Sequence, residues 1–88
     1  YLVIYCRNNG SQGNRVGITV NAKLAHAVHR NRVRRQLREI YRLHETEFTP
    51  GHDLVVVVRS RAIGAPYGKL EQAYLALAAQ LGLLRKDV

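Results

Sequence analysis

Acidic residues, cysteines and long apolar runs are all scarce in this sequence. Asp and Glu together number 6 among 88 residues, against 14 Lys and Arg. The one cysteine, Cys6, excludes an internal disulfide and, with no second thiol beside it, a cysteine-based zinc cluster. No apolar run approaches the roughly 18–20 residues that span a bilayer, and no signal-peptide pattern opens the chain. A reducing, cytoplasmic setting without a membrane partner is therefore expected.

The length of 88 residues suits one domain with a thin core. A domain of this size has little room for a large enclosed active-site cavity, so we expect no small-molecule substrate. The formal net charge of +8 instead predicts a polyanionic partner. The first residue, Tyr1, falls inside a predicted strand, and we therefore expect residues 1–88 to be one domain that is truncated at its N-terminus.

The apolar pattern predicts elements in the order β-β-α-β-α. Residues 1–7 and 15–20 alternate as strands do, and the turn-forming residues between them predict an antiparallel hairpin. Helical periodicity begins at Arg30, and a second amphipathic helix has Pro66 in its first turn. The apolar stripe of the first helix comprises Val33, Leu37, Ile40, Tyr41 and His44. The continuous apolar run 54–58 predicts a strand covered on both faces, with parallel pairing to a hairpin strand left open. Two helices against one small sheet make an α+β two-layer sandwich.

Basic charge is concentrated between residues 23 and 42. This stretch contains seven basic side chains and one acidic side chain, Glu39. At about 100° per residue, five polar side chains fall within an arc of about 100°, largely opposite the apolar stripe of the helix. Arg30 borders that stripe and Arg32 lies off the arc. We name the five residues the arginine ridge: Asn31, Arg34, Arg35, Arg38 and Arg42.

The arginine ridge predicts phosphate binding. Arginines four residues apart, such as Arg34 and Arg38, repel by a few tenths of a kcal/mol, and a polyanion along the helix would reverse that cost. Eleven of the 14 basic residues are arginine, whose forked donors suit phosphates. The alternative is a solvated helix face, but such faces usually mix charges of both signs.

A second candidate surface is one face of the first strand. Tyr5 and Arg7 project from that face, and an exposed tyrosine near arginines can stack an unpaired base. Arg59 and Arg61 follow the apolar strand and either contact phosphates or serve a plain loop. Tyr1, on the same face, is expected to pack beneath a helix.

The residue pattern predicts no chemistry borne by the protein itself. There is no paired-carboxylate motif, no Gly-rich phosphate loop and no convincing pair of nucleophile and base. His26 and His29 have a spacing that can chelate a metal, but without a third ligand simple basic contacts are favoured. Three residues that could otherwise be candidates for a site are expected in the core: Cys6, Phe48 and Tyr74.

The segment from Lys23 to Arg42 closely resembles the signature of the bacterial ribonuclease P protein subunit. The most specific part is Arg30-Asn31-Arg32 inside the basic helix. Residues 15–20, residues 53–59 and the terminal helix also fit, so the resemblance covers nearly the whole chain. It implies a ribosomal protein S5 domain 2-like fold. Family members usually carry a Gly-Asn-like pair in place of Ala25-His26. They also begin with a basic amphipathic helix ahead of the first strand, and we expect residues 1–88 to be missing that helix.

The resemblance implies an accessory role in an endoribonuclease. The family's catalyst is a large RNA subunit, with Mg²⁺ held mainly by that RNA, and it hydrolyses a phosphodiester to remove the 5′ leader of precursor tRNA. No catalytic residue is then expected in this chain. The implied leader contacts are Tyr5, Arg7 and Arg59. The implied contacts to the catalytic RNA are Lys23, His29, Arg30, Asn31, Arg32, Arg34, Arg35, Arg38 and Arg42.

Three alternatives use the same basic helix or the same charge. The chain could be a generic RNA- or ribosome-associated binding module without a nuclease role. It could place the helix in a DNA major groove, although no helix-turn-helix partner precedes that helix. A protein nuclease acting alone would require carboxylates clustered in space.

Overall fold

A three-stranded sheet packed by two helices makes up the fold, and the computed structural model describes residues 1–85. Residues 86–88, the end of the domain expected for 1–88, lie outside the described residues. Short 3-10 turns cover Glu45–Glu47 and Ser60–Ala62. The main elements, in the order that the sequence predicts, are β1 (Leu2–Asn8), β2 (Arg15–Val20), α1 (Ala27–Leu43), β3 (His52–Val58) and α2 (Tyr67–Gln80).

Strand β3 lies in the middle of the sheet. It runs antiparallel to β1 and parallel to β2, with α1 in the crossover between the parallel pair. The predicted hairpin is therefore wrong, because β1 and β2 do not pair with each other. The apolar strand β3 takes the central place, where the backbone groups on both of its edges find partners. The β1–β2 loop instead passes the start of β3, where the Asn9 N–H donates to the Gly51 carbonyl at 2.9 Å.

Both helices pack on the same face of the sheet, which confirms the α+β two-layer prediction. Among residues 1–85, no helix packs on the opposite face, which we call the open face, and Val55 in the middle of β3 is 41% exposed there. The prediction that β3 is covered on both faces is therefore wrong. The buried residues that form the core between sheet and helices include Leu2, Ile4, Val20, Leu54, Val56 and Val58 of the strands, Val33, Leu37 and Ile40 of α1, and Leu70, Tyr74 and Ala78 of α2.

The ends of the helices differ slightly from the predicted ones. Helix α1 begins at Ala27, three residues before Arg30, and Pro66 precedes α2 as its N-cap. After α2 the chain reverses at Gly82, whose φ of 73° suits glycine. This reversal lets the Leu83 N–H donate to the Ala78 carbonyl at 2.9 Å and buries Leu83, a core residue that the helical periodicity does not predict.

The aromatic core agrees with the prediction, whereas the cysteine does not. Phe48 and Tyr74 are buried, and their rings meet edge to face with centroids 6.1 Å apart. Cys6 is exposed, so its assignment to the core is wrong. It pairs with Leu54 in register, but burial along β1 ends at Ile4 because the helical cover does not extend to the end of this edge strand. Among residues 1–85, no helix has the length and apolar character needed to cross a membrane.

Candidate nucleic-acid interface

The arginine ridge lies on the solvent side of α1, because three apolar residues turn the opposite side of the helix into the core. Arg35, Arg38 and Arg42 are exposed, as is Asn31, while Arg34 is half-buried and donates from Nη1 to Asn31 Oδ1 at 3.4 Å. Within residues 1–85, no carboxylate forms an ion pair with a ridge arginine. The positive charge of the ridge is therefore uncompensated, as binding to phosphates requires.

The remaining residues that the resemblance assigns to RNA surround the start of α1. Lys23, in the loop between β2 and α1, is exposed, and so are His29 and Arg32. Arg30 differs from all of these because it is half-buried and its guanidinium is engaged within the protein. Its Nη1 donates to the carbonyl oxygens of Ala22, at 3.1 Å, and Ala25, at 2.7 Å.

A second basic surface lies on the open face of the sheet, the side away from the helices. Tyr5 lies near the centre of this face, is 62% exposed and pairs in register with Val55. Arg7 lies further along β1 on the same face and is also exposed. We name this surface the open-face site and define it as Tyr5, Arg7, Arg15, Asp53 and Val55.

Asp53 holds the two arginines of the open-face site. It pairs in register with Arg7 of β1 and Arg15 of β2. The Nε atoms of Arg7 and Arg15 lie 3.5 and 3.2 Å from its carboxylate oxygens. A hydrogen bond from Asn9 Nδ2 to Asp53 Oδ1, at 3.0 Å, lowers the pKa of Asp53, and the charges of both arginines lower that pKa further. Arg15 is a site residue that the sequence does not predict, because only the observed strand order brings it beside Asp53.

The other end of the open face carries Tyr1, Arg59 and Arg61. Arg59, which follows β3, is exposed, and its N–H donates to the Tyr1 carbonyl at 2.9 Å. The Arg61 guanidinium carbon lies 5.6 Å from the centre of the Tyr1 ring, within the range of a cation–π contact. Tyr1 is 40% exposed and does not pack beneath a helix, so that expectation is wrong.

A histidine and two glutamates join the helices at the C-terminal end of α1. His44 Nδ1 lies 2.5 Å from Glu47 Oε2, and His44 Nε2 lies 3.0 Å from Glu71 Oε2. The hydrogen bonds with Glu71 and then with Glu47 raise the pKa of His44, because both favour the charged imidazolium. Sequence reasoning treats His44 only as part of the apolar stripe and does not predict this cluster. Residues 1–85 contain no group of three or more His, Cys, Asp or Glu that could hold a metal ion.

Comparison with known proteins adds a second line of observation. A family model described as Ribonuclease P matches residues 1–82 of the chain. The chain belongs to the ribonuclease P protein family. The ribonuclease P protein component of Natranaerobius thermophilus is 39% identical over 88 residues, which is 100% of this chain and 76% of that protein. The component from Alkaliphilus oremlandii is 39% identical over 87 residues, covering 99% of this chain and 76% of the relative.

Solved structures of ribonuclease P proteins have the same fold. The RNase P protein from Thermotoga maritima superposes with a TM-score of 0.82 at 32% identity, covering 88% of this chain and 74% of that one. The RNase P protein from Staphylococcus aureus gives a TM-score of 0.86 at 26% identity, covering 96% of this chain and 77% of that one. The ribonuclease P family match includes both the arginine ridge and the open-face site, since both lie within residues 1–82.

Proposed function

We propose that this chain acts in ribonuclease P by holding two RNAs on opposite sides of its sheet. The ridge binds the catalytic RNA, and the open face binds the 5′ leader of precursor tRNA. Membership of the family supplies the role in maturing tRNA 5′ ends. The observation that carries the division between two RNAs is geometric. Helix α1 packs on one face and projects the ridge away from the sheet, whereas Tyr5 lies on the other face.

The ridge suits folded RNA because it offers charge and shape rather than base recognition. Side chains cannot read the deep, narrow major groove of an A-form helix, so structured RNA is bound mainly through phosphates and sugars. Arg35, Arg38 and Arg42 present exposed guanidinium groups with forked donors for this purpose. Lys23, in the loop before α1, and His29 and Arg32, in the first two turns of the helix, add exposed basic side chains at its N-terminal end.

The open-face site suits an unpaired strand. The exposed ring of Tyr5 can stack one base, a contact that contributes roughly 1–3 kcal/mol. Arg7 lies on one side of Tyr5 along the strand direction, and Arg59 lies towards the other end of the sheet. Asp53 cancels one of the two charges of Arg7 and Arg15 but leaves a net positive charge, while holding both guanidinium groups in place.

We assign the hydrolysis to the RNA partner, with Mg²⁺ bound mainly by that RNA. The carboxylate of the open-face site, Asp53, is engaged by Asn9 and two arginines, and its pKa is lowered. Such a group is a weak base at neutral pH and suits positioning better than proton transfer. We therefore assign no catalytic residue to the chain and place it in a cytoplasmic ribonucleoprotein as an accessory subunit.

Reconstitution tests this proposal. The chain is mixed with ribonuclease P RNA at low Mg²⁺, and cleavage of precursor tRNA is followed over time. We expect the chain to stimulate cleavage, Arg35→Ala to weaken assembly with the catalytic RNA, and Tyr5→Ala to weaken binding of precursor tRNA only when the leader is present. Absence of stimulation, together with equal binding to any structured RNA, would instead support the generic RNA-binding module.

A further inference from the structure

Arg30 is the arginine of α1 whose guanidinium is turned into the protein. It is half-buried, whereas Arg32 and Arg35 beside it are exposed. Both N–H groups of its Nη1 are used, one for the carbonyl of Ala22 and one for the carbonyl of Ala25. These two carbonyls belong to the loop of residues 21–26, which connects β2 to α1. Arg30 therefore ties the first turn of the helix back to the loop that leads into it.

The loop depends on this contact because the backbone hydrogen bonds within the loop do not use the carbonyls of Ala22 and Ala25. Asn21 organises the first half, accepting from the Lys23 N–H through its side chain at 2.9 Å and from the Leu24 N–H through its carbonyl at 3.0 Å. Within residues 1–85, no backbone N–H outside the regular elements reaches the carbonyl of Ala22 or Ala25. A bond to a charged donor contributes more than one between neutral groups, so Arg30 adds a constraint that the loop's own backbone bonds do not supply.

Within residues 1–85, no side-chain cap closes the start of α1. Its N-cap residue, His26, makes no capping hydrogen bond through its side chain, and the first turn contains no acidic residue. Orphan groups at a helix start are usually satisfied by such caps. Arg30 compensates from inside the helix, by fixing the loop rather than by capping the N–H groups.

We propose that Arg30 is a positioning residue that sets the 21–26 loop, and with it Lys23, for the catalytic RNA. This inference rests on the proposed function, in which α1 binds the catalytic RNA. The family resemblance implies that Arg30 contacts that RNA, whereas here Arg30 supports the loop that contacts it. The loop is also placed to matter for the leader, because Asn21 and Leu24 line the same surface groove as Arg59 at the end of β3. One arginine thus orders the segment that lies between the two basic surfaces.

The first experiment uses the free protein, so that it does not depend on any RNA. Hydrogen exchange of the Leu24 amide is followed by NMR in the wild type, in Arg30→Met and in the matched control Arg35→Met. We expect exchange to be about tenfold faster in Arg30→Met, because the loop opens more often once its carbonyls lose their donor, and unchanged in the control. Equal exchange in all three folded proteins would overturn the inference.

A second readout needs no substitution and covers the case in which Arg30→Met does not fold. In the wild type, the Arg30 Nη1 protons are expected to give resolved, slowly exchanging NMR signals with contacts to Ala22 and Ala25. The exposed guanidinium of Arg35 is expected to give averaged, rapidly exchanging signals. An Arg30 signal that is averaged like that of Arg35 would contradict the assignment.

Binding to ribonuclease P RNA then tests the functional half of the inference. If Arg30 acts through the loop, Lys23→Ala weakens binding in the wild type but has little further effect in Arg30→Met. The same Lys23→Ala change in Arg35→Met is expected to add its full effect. Additive losses in the Arg30→Met background would show a direct contact and overturn the positioning role. If the wild type does not bind this RNA, the proposed function fails, while the exchange result still decides whether Arg30 orders the loop.

Discussion

Replacing Arg35 and Arg38 together by alanine removes two exposed guanidinium groups from the middle of the arginine ridge. Neither residue forms an ion pair within residues 1–85, so no carboxylate is left unpaired by the change. Arg38 also lies four residues from both Arg34 and Arg42, and alanine relieves two like-charge repulsions of a few tenths of a kcal/mol each. The free protein is therefore expected to be as stable as the wild type or slightly more stable.

The same change is expected to weaken RNA binding in a salt-dependent manner. The slope of log K against log salt is negative, and each phosphate contact that is lost makes it shallower by roughly 0.7–0.9. Losing two contacts therefore makes the slope shallower by roughly 1.4–1.8. The assay is titration of ribonuclease P RNA at several salt concentrations, beside a thermal melt of the free protein. The matched control is Lys69→Ala, an exposed basic residue of α2 that is not part of the ridge, and this change should leave the slope unchanged. An unchanged slope in the double variant, or an equal change in the control, would refute the assignment of the interface to the ridge.

Three further predictions concern the open face, the histidine cluster and the core. Tyr5→Ala should cost roughly 1–3 kcal/mol in affinity for precursor tRNA with a leader and nothing for mature tRNA, whereas Tyr5→Phe should retain most of the affinity, in a filter-binding comparison. His44 has a raised pKa, so its contribution to stability is complete below the ordinary histidine pKa and is lost as pH rises through the folded-state value. Denaturant titrations should show a drop over that pH range in the wild type, and its persistence in His44→Gln would contradict this origin. Leu37→Ala should lower the free energy of unfolding by roughly 2–5 kcal/mol in the same titration, because Leu37 is fully buried, and a loss below 1 kcal/mol would argue against that packing.

The sequence predicts the element order well because both helices and the first two strands carry clear periodicity and the third strand is a continuous apolar run. The predicted stripe of α1 includes Val33, Leu37 and Ile40, and all three are buried. The two-layer architecture follows from the same pattern. The exposure of the ridge follows from the same stripe, because the polar side of a packed amphipathic helix must face solvent.

Strand order is the part that local pattern could not predict. The turn-forming residues between β1 and β2 are compatible with a hairpin. The competing pairings of both strands with β3 depend on contacts between residues 38 to 56 positions apart in the chain. The placement of Arg15 beside Asp53 follows only from that order. The exposure of Cys6 depends on how far the helices extend over their face of the sheet, and the exposure of Val55 depends on both helices packing on the other face. Strand alternation alone specifies neither.

The hydrogen-bond partners of individual side chains are the other feature that the sequence does not predict. The sequence sets Arg30 apart from the other arginines of α1 only because it borders the apolar stripe, and its bonds to the loop carbonyls of Ala22 and Ala25 could not be predicted. His44 fits an apolar stripe by spacing, and its two glutamate partners come from different elements. Both roles arise from tertiary contacts, which residue spacing does not encode.

Site-directed photocrosslinking tests most directly whether the two basic surfaces hold different RNAs. A photoreactive group on Val55→Cys, in a Cys6→Ser background, reports on the open face, where Val55 is 41% exposed and pairs in register with Tyr5. The same group on Arg42→Cys, in a Cys6→Ser background, reports on the ridge. In the complex of protein, ribonuclease P RNA and precursor tRNA, we expect the first probe to crosslink to the 5′ leader and the second to the catalytic RNA. Crosslinks from both positions to the same RNA would contradict the account.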